Sequence, residues 1–188
     1  SRKSRGLGDV YKRQEQVVRQ VDFSWCLGDP VVAELPGEAP FWIVRRERLD
    51  QLLTDQAKQA GAECCAGVTV TDIGRDNDHW SVTAADGQRW RTRSVVIADG
   101  SASPWPQRLG LGAKRFQTAT TMSVRLEGQG RLKNGTTRFE FGLVKQGFAW
   151  AFPVAGGVNI GVGSFIGKQD ADPEQVLSLL LPDLGFPA

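Results

Sequence analysis

The stretch from Val95 to Gly110 constrains the fold more than any other part of this 188-residue chain. Its first three residues are apolar and β-branched, and Ala98-Asp99-Gly100 follows at once. A continuous apolar run of this kind is typical of a parallel strand buried on both faces, and Asp-Gly ends such a strand in a tight turn. In open α/β sheets, ligands bind beyond the carboxyl ends of the strands. The sequence therefore predicts a buried strand that ends in a ligand-binding turn, with an ordinary surface turn as the alternative.

A helix is predicted after the short apolar strand Trp42-Ile43-Val44. Apolar residues recur at helical spacing between Leu49 and Ala60, and Gly61 provides a C-terminal stop. No Ser, Thr, Asp or Asn caps the start, where arginines stand although the helix dipole disfavours cations there. Arg46 is therefore a candidate for binding an external anion, with a plain surface arginine as the alternative.

A strand over Val68–Ile73 is expected to lead into a hairpin formed by residues 80–92. A three-residue loop, Ala85-Asp86-Gly87 with Gly87 left-handed, places Val82 opposite Trp90 and keeps the arginines on the polar face. A two-residue loop would mix the arginines with the apolar side chains. We therefore predict the longer loop.

From about residue 112 the pattern changes to short strands without a long helix between them, which predicts an antiparallel sheet. Its hairpin 147–163 is expected to turn at Ala155-Gly156-Gly157, so that one face is large and the other nearly bare. The large face would carry Phe148, Trp150, Phe152, Ile160 and Val162, and the bare face Ala149, Ala151, Gly161 and Gly163. The large face either fills a core or lines an apolar cavity. A final helix is predicted from Gln175 to Leu181, with Asp172 as N-cap and Pro173 at the first helical position.

The first fourteen residues are set apart by the string SRGLGDVYKRQ at residues 4–14, which resembles an in-frame translation of a transposase-type sequencing adaptor. Excluding residues 1–14 removes five basic residues and one acidic residue, so the net charge changes from 23 − 21 = +2 to 18 − 20 = −2. The charge therefore does not predict nucleic-acid binding, and the chain is interpreted as a fragment. Its three cysteines are odd in number and poorly spaced for disulfides or a metal site, which favours a reducing, cytoplasmic setting.

Three motifs carry a resemblance to a known family. Ala98-Asp99-Gly100-x-x-Ser103, with Leu109-Gly110-Leu111 after it, is similar to the flavin-contacting turn of the FAD-dependent group that contains aromatic hydroxylases and geranylgeranyl reductases. The segment from Arg46 to Leu53 is similar to one in which an arginine helps to bind the flavin. Residues 147–153, Gly-Phe-Ala-Trp-Ala-Phe-Pro, resemble the Tyr-x-Trp-x-Phe-Pro signature of geranylgeranyl reductases. Phe148 stands in place of the tyrosine and Lys145 in place of a proline.

The resemblance implies an α/β fold, with a partial FAD-binding Rossmann-like domain over residues 15–111 and a partial antiparallel-sheet (α+β) substrate domain over residues 112–188. It also implies bound FAD, with NAD(P)H or another reductant as electron donor. The residues expected to contact the cofactor are Arg46, Ala98, Asp99, Gly100 and Ser103. Those expected to contact the substrate are Phe148, Trp150, Phe152 and Pro153. No metal ligand and no proton donor are identified.

The implied activity is reduction of carbon–carbon double bonds in an isoprenoid or another hydrophobic small molecule, by a cytoplasmic protein that can associate with the membrane surface. The fragment alone is expected to be inactive. The Gly-x-Gly-x-x-Gly turn that would hold the flavin diphosphate in this family does not occur in residues 15–40. Two alternatives stay open. The first is a flavin-dependent monooxygenase or halogenase, and the second is a carrier that binds a hydrophobic ligand without catalysis.

Overall fold

The computed structural model describes residues 14–38, 40–112, 119–165 and 172–187. The adaptor-like residues 1–13 lie outside the described residues, and Gln14 begins the first strand. The strands are β1 (Gln14–Val18), β2 (Gln20–Trp25), β3 (Gly28–Glu34), β4 (Phe41–Val44), β5 (Val70–Asp76), β6 (His79–Ala84), β7 (Arg89–Thr92), β8 (Ala119–Glu127), β9 (Thr136–Phe141), β10 (Gly147–Val154) and β11 (Gly157–Phe165). The helices are α1 (Arg46–Gln59), α2 (Trp105–Arg108) and α3 (Pro173–Asp183). The chain forms two units, Ser1–Gln56 with Gln117–Ala188, and Ala57–Phe116.

The first unit is built on a six-stranded sheet with the order β3-β2-β9-β10-β11-β8. All neighbouring strands are antiparallel except β2 and β9, which run parallel. Strands β1 and β4 pair separately as an antiparallel ribbon. Because β2 and β3 join this sheet, residues 20–34 lie together with the C-terminal half of the chain. The domain boundary between residues 111 and 112 was predicted from the sequence, in which this strand pairing is not visible. The domain assignment stays a prediction.

One face of this sheet packs against α3 and forms the hydrophobic core of the first unit. The helix contributes Val176, Leu177 and Leu180, which are buried against alternate residues of β10 and β11. Its start is as predicted, since the Asp172 carboxylate accepts the Glu174 backbone N–H at 3.0 Å and Pro173 is the first helical residue. The helix continues beyond the predicted end at Leu181 to Asp183.

The register of the β10–β11 hairpin corrects the predicted faces. Val154 pairs with Gly157, so the loop has two residues, Ala155 and Gly156, rather than three. A shift of one residue moves a whole strand to the opposite face. The pairs that share the α3 face are Ala149 with Val162 and Ala151 with Ile160, and the pairs on the opposite face are Phe148 with Gly163 and Trp150 with Gly161. The expected segregation of large side chains from bare glycines was therefore wrong, because the large rings lie directly across from the glycines.

Buried charges link α3 to the sheet. The Glu140 side chain is fully buried and accepts hydrogen bonds from the Leu27 backbone N–H at 2.8 Å and from the Arg138 guanidinium at 2.7 Å, and it also bonds the Ser24 hydroxyl. Arg138 reaches Asp183 at the end of α3 at 2.6 Å. Burial opposes the charge of Arg138, but the hydrogen bonds to Glu140 and Asp183 outweigh it and raise the Arg138 pKa. These groups therefore stabilise the contact between α3 and strands β2 and β9.

A second buried carboxylate joins the β1–β4 ribbon to the main sheet. Glu15 on β1 pairs with Arg45 and, at 3.4 Å, with Arg125 on β8, and it accepts the Ala155 backbone N–H at 3.2 Å. Burial raises the pKa of Glu15, but the Ala155 hydrogen bond and the two arginines outweigh it, so the pKa lies below the ordinary value. The loop between β10 and β11 is thereby held at the end of the sheet.

The second unit contains the three-stranded antiparallel sheet β5-β6-β7. Its hairpin confirms the predicted three-residue loop, since Val82 pairs with Trp90 and Trp80 with Thr92, and Gly87 has a φ of 85°. The predicted buried strand Val95–Ile97 is not formed. No strand pairs with it among the described residues, and Val96 is 86% exposed. A parallel strand is stable only when neighbours pair with its backbone, and the β5-β6-β7 sheet does not extend to this segment.

The helix predicted after the strand Trp42-Ile43-Val44 is confirmed as α1. It ends at Gln59, and Gly61 follows with a φ of 96°, a conformation that favours glycine. Within the described ranges, no helix is long and apolar enough to cross a lipid bilayer.

Candidate functional site

The turn after Ile97 is an open loop with an unpaired carboxylate. Asp99 is exposed, and its side chain forms no hydrogen bond or ion pair with any described residue. Gly100 has a φ of 99°, and nothing lies within 4 Å of the position that a Cβ would occupy. A carboxylate only accepts hydrogen bonds, and a glycine lets a ligand approach the backbone closely. This turn can therefore accept hydrogen bonds from ligand hydroxyls.

Ala98 and Ser103 flank this turn. Ala98 is exposed beside Asp99. The Ser103 backbone N–H donates to the Gly100 carbonyl at 3.1 Å, which closes the turn, and the Ser103 hydroxyl accepts the Trp105 N–H at 3.3 Å. Ser103 thus has a local role at the start of α2, and its contact with a cofactor stays a prediction.

A cleft of about 780 Å³ lies next to the turn within the second unit. Residues of two segments, Val68–Thr71 and Val95–Ala98, line it together with Asp99 and Trp105, and most of the lining side chains are apolar. Arg108 also lines the cleft, and its guanidinium stacks over the Trp105 ring at 5.2 Å. The free carboxylate of Asp99 thus stands at one side of a mostly apolar cleft.

Arg46 lies at the first position of α1, in the first unit. Its guanidinium forms an ion pair with Asp50 one turn further along the helix, at 3.2 Å, and its side chain is 81% exposed. The cation at the helix N-terminus therefore has a partner within the same helix, at the i,i+4 spacing that brings two side chains together. An exposed pair of this kind is weak in water, so Arg46 can still exchange its partner for a ligand anion.

The face of the six-stranded sheet opposite α3 carries a continuous layer of aromatic rings, which we call the aromatic face. Its members come from β2, β9 and β10, and neighbouring centroids are 5.4 to 6.4 Å apart. They are Phe23, Phe139, Phe141, Phe148, Trp150 and Phe152. Phe23 is 39% exposed and the other rings are half-buried, in contrast to the fully buried alanines of the α3 face. Phe41 on β4 packs edge-on against Phe152, with centroids 6.5 Å apart, so one end of the layer is covered and the rest is a partly exposed apolar surface.

Three of the four predicted substrate residues lie on the aromatic face. These are Phe148, Trp150 and Phe152, whereas Pro153 pairs with Val158 and is buried on the α3 face. Phe23 and Phe139 were not predicted as substrate residues, and the parallel pairing of β2 with β9 places them side by side. The alternation of aromatic and polar residues in both strands was a signal for a shared face. Nothing in the sequence indicated which strands are neighbours.

The sequence was compared with protein families and with curated proteins. No family model matches the chain. It is similar to the digeranylgeranylglycerophospholipid reductase of Methanocaldococcus jannaschii, with 28% identity over 133 residues, which are 67% of this chain and 34% of the relative. It is also similar to the menaquinone reductase of Mycobacterium tuberculosis, with 31% identity over 133 residues, or 64% of this chain and 32% of the relative. The chain thus spans about a third of the length of these curated relatives.

A solved structure extends the comparison to the fold. The halogenase PltM in complex with phloroglucinol and FAD superposes with a TM-score of 0.69 and 16% identity, over 92% of this chain and 41% of PltM. The resemblance to geranylgeranyl reductase-type flavoproteins is confirmed. The predicted fold class is confirmed as well, since the chain carries part of the mixed α/β fold of an FAD-binding flavoprotein. Among the described residues of this flavoprotein-like chain, no three His, Cys, Asp or Glu side chains come together as metal ligands.

Proposed function

We propose that this chain is a segment of an FAD-dependent oxidoreductase that reduces carbon–carbon double bonds of an isoprenoid chain. The observation that carries the proposal is the aromatic face, a partly exposed apolar layer of six rings. Apolar surface of this kind favours a hydrocarbon ligand because contact removes both surfaces from water. The named relatives support the proposal, since digeranylgeranylglycerophospholipid and menaquinone both contain isoprenoid chains.

The turn at Asp99 fits FAD. The carboxylate is exposed and unpaired among the described residues, and Gly100 leaves its surroundings open. Asp99 would accept hydrogen bonds from ribityl or ribose hydroxyls, and Arg46 would support the cofactor through its positive charge. When bound, FAD supplies the hydride-transfer chemistry, with NAD(P)H or another reductant as the source of electrons.

The contribution of the aromatic face to the reaction is orientation and exclusion of water. Saturating one double bond adds a hydride to one carbon and a proton to the other, so the alkene must be held still while both arrive. The stacked rings hold a flexible chain through dispersion and burial, which lowers the entropic cost of the reacting geometry. A lipid substrate also agrees with a cytoplasmic protein that associates with the membrane surface.

A second candidate is a flavin-dependent halogenase or monooxygenase, which is compatible with the fold similarity to the halogenase PltM. That similarity supports the same fold for both candidates and does not separate them. The aromatic face would then bind an aromatic substrate by ring stacking. A carrier without catalysis is the remaining alternative.

The deciding experiment uses the full-length protein that contains this chain, purified and examined for the flavin absorbance band. Incubated without oxygen with a geranylgeranyl lipid and a reductant, it should yield product that has gained two hydrogens for each saturated bond. Hydroxylated or halogenated product that forms only with oxygen would replace the reductase proposal by the second candidate. A protein that binds the lipid but no flavin would be a carrier.

A further inference from the structure

We infer that Asn159 and Gly161 are positioning residues that hold the indole of Trp150 flat against the sheet and thereby shape the surface on which the substrate chain lies. This inference rests on the proposed function, because it assigns roles within the same substrate surface. Both residues lie on β11, the strand that pairs with the strand of Trp150.

The first constraint on Trp150 is the absence of a side chain at Gly161. Gly161 is the direct cross-strand partner of Trp150, and a Cβ at this position would lie 2.2 Å from Cζ2 and 2.5 Å from Cε2 of the indole. Real Cβ atoms do not approach other heavy atoms this closely. The indole therefore occupies the space that any other residue at position 161 would need, and Gly161 sets the height of the ring above the sheet.

The second constraint is a hydrogen bond at the ring edge. The indole Nε1–H of Trp150 donates to Oδ1 of Asn159 at 3.0 Å. An indole nitrogen can only donate, so the amide oxygen must face it. Asn159 pairs directly with Phe152, which places the acceptor on the aromatic face beside the ring it holds. This bond fixes the rotation of the indole about its side-chain torsions.

The two constraints act on the middle ring of the β10 series. The centroids of Phe148 and Phe152 each lie 6.0 Å from that of Trp150, one on either side. A lifted or rotated indole would interrupt the layer between them. A side chain that is already held in one rotamer loses little entropy when a ligand binds. The two constraints, which we call the Trp150 lock, therefore lower the entropic cost of binding a long flexible chain on the aromatic face.

The test of Asn159 uses three forms of the full-length protein: wild type, Asn159→Leu and Asn159→Asp. Leucine removes the acceptor at similar volume, whereas aspartate retains an oxygen acceptor. The loss of one neutral hydrogen bond predicts a rise of roughly three- to tenfold in KM for a geranylgeranyl substrate, with little change in kcat. Asn159→Asp should stay within about twofold of the wild-type KM by the same reasoning.

A readout that needs no substrate comes from hydrogen exchange of the Trp150 indole N–H, assigned by its disappearance in Trp150→Phe. The proton should be protected in the wild type and in Asn159→Asp, and should exchange faster in Asn159→Leu. Equal exchange in all three forms would overturn the lock. Faster exchange with an unchanged KM would overturn the positioning role, because the bond would then be only structural.

Gly161→Ala and Gly163→Ala form a matched pair for the second constraint. A Cβ at Gly163 would meet Trp150 only at 3.4 Å, an ordinary contact, and Thr121 Cγ2 at 3.1 Å. Gly161→Ala should therefore raise the KM for a long isoprenoid more than for a short one, and Gly163→Ala should change this ratio little. Equal effects of the two variants would overturn the role of Gly161. If the wild type reduces no isoprenoid, the proposed function fails, while indole exchange still decides whether the lock exists.

Discussion

Replacement of Asp99 by alanine in the full-length protein should weaken FAD binding without weakening the fold. Asp99 is exposed and bonds no described residue, so its removal breaks no internal interaction. Surface substitutions of this kind change the free energy of unfolding by about 0.5 kcal/mol or less. A hydrogen bond to a charged acceptor contributes about 1.5–3 kcal/mol. The dissociation constant for FAD should therefore rise roughly 10- to 150-fold.

The loss of FAD affinity in Asp99→Ala can be measured by thermal melting as well as by flavin titration. FAD at 100 times its dissociation constant stabilises the folded protein by about 2.7 kcal/mol. At the same FAD concentration, a tenfold weaker variant would gain only about 1.4 kcal/mol, and a hundredfold weaker one about 0.4 kcal/mol. The melting temperature without FAD should stay at the wild-type value, whereas the shift caused by FAD should shrink.

Asp78→Ala is the matched control, since Asp78 is an exposed acidic residue in a turn of the same unit and forms no hydrogen bond or ion pair with the described residues. It should leave the dissociation constant for FAD unchanged. If Asp99→Ala binds FAD as tightly as the wild type and Asp78→Ala do, Asp99 does not contact the cofactor. A fall in the melting temperature of the FAD-free variant would instead assign a structural role to Asp99.

Four further predictions address the substrate surface, the two buried ion clusters and the isolated chain. Trp150→Ala should lower turnover of a long isoprenoid more than it lowers the free energy of unfolding; a stability loss of about 3–5 kcal/mol with near-normal turnover would make the ring a core residue. Arg138→Met leaves the buried Glu140 carboxylate without its cation and should lower the free energy of unfolding, measured in urea, by about 3–5 kcal/mol. Asp183 is partly exposed, so Asp183→Asn should lower it by at most about 1 kcal/mol. Because the folded pKa of Glu15 lies below its ordinary value of 4.5, the stability difference between the wild type and Glu15→Gln should be complete at neutral pH and disappear as the pH falls through the folded pKa; a difference independent of pH would contradict this. Residues 15–188 expressed alone should be poorly soluble and colourless, because the chain lacks the glycine-rich turn that would hold the flavin diphosphate and leaves apolar backbone edges unpaired. A version extended upstream through a glycine-rich turn should be yellow, as tested by absorbance and size-exclusion chromatography; a soluble, flavin-loaded 15–188 would show that the cofactor site is misplaced.

Local elements could be predicted from the sequence because their determinants lie within a few residues of one another. The β6–β7 hairpin follows from the loop ending in Gly87, which fixes the pairing of its strands. Helix α3 follows from the Asp172 cap and Pro173, and α1 from its apolar spacing and Gly61. The Asp-Gly turn was likewise recognisable, since an acidic residue and a glycine after an apolar run form a short motif.

Tertiary structure decided the rest, because it determines which strands pair and which faces are covered. Val95–Ile97 has the sequence of a buried strand, but pairing partners are required to make it one, and none lies among the described residues. Arg138 and Glu140 alternate with phenylalanines and look like a solvent-exposed polar face, but the fold buries Glu140 beside Ser24 and brings Asp183 of α3 to Arg138, which makes them a buried ion network. The hairpin from 147 to 163 could close with a two- or three-residue loop, and the choice changes which residues lie beneath the aromatic rings.

The aromatic face depends on both the sequence pattern and the tertiary structure. The aromatic residues of β10 were visible as a motif, and their alternation with alanines predicted a strand with two unlike faces. The contributions of Phe23 and Phe139 depend on a parallel pairing between residues more than a hundred positions apart. The position of the Trp150 ring over Gly161 depends on the register of the β10–β11 hairpin, which would shift if the loop had one residue more. Sequence patterns thus determine the local conformation and the apolar character of each strand, whereas long-range pairing determines which of those side chains meet to form a binding surface.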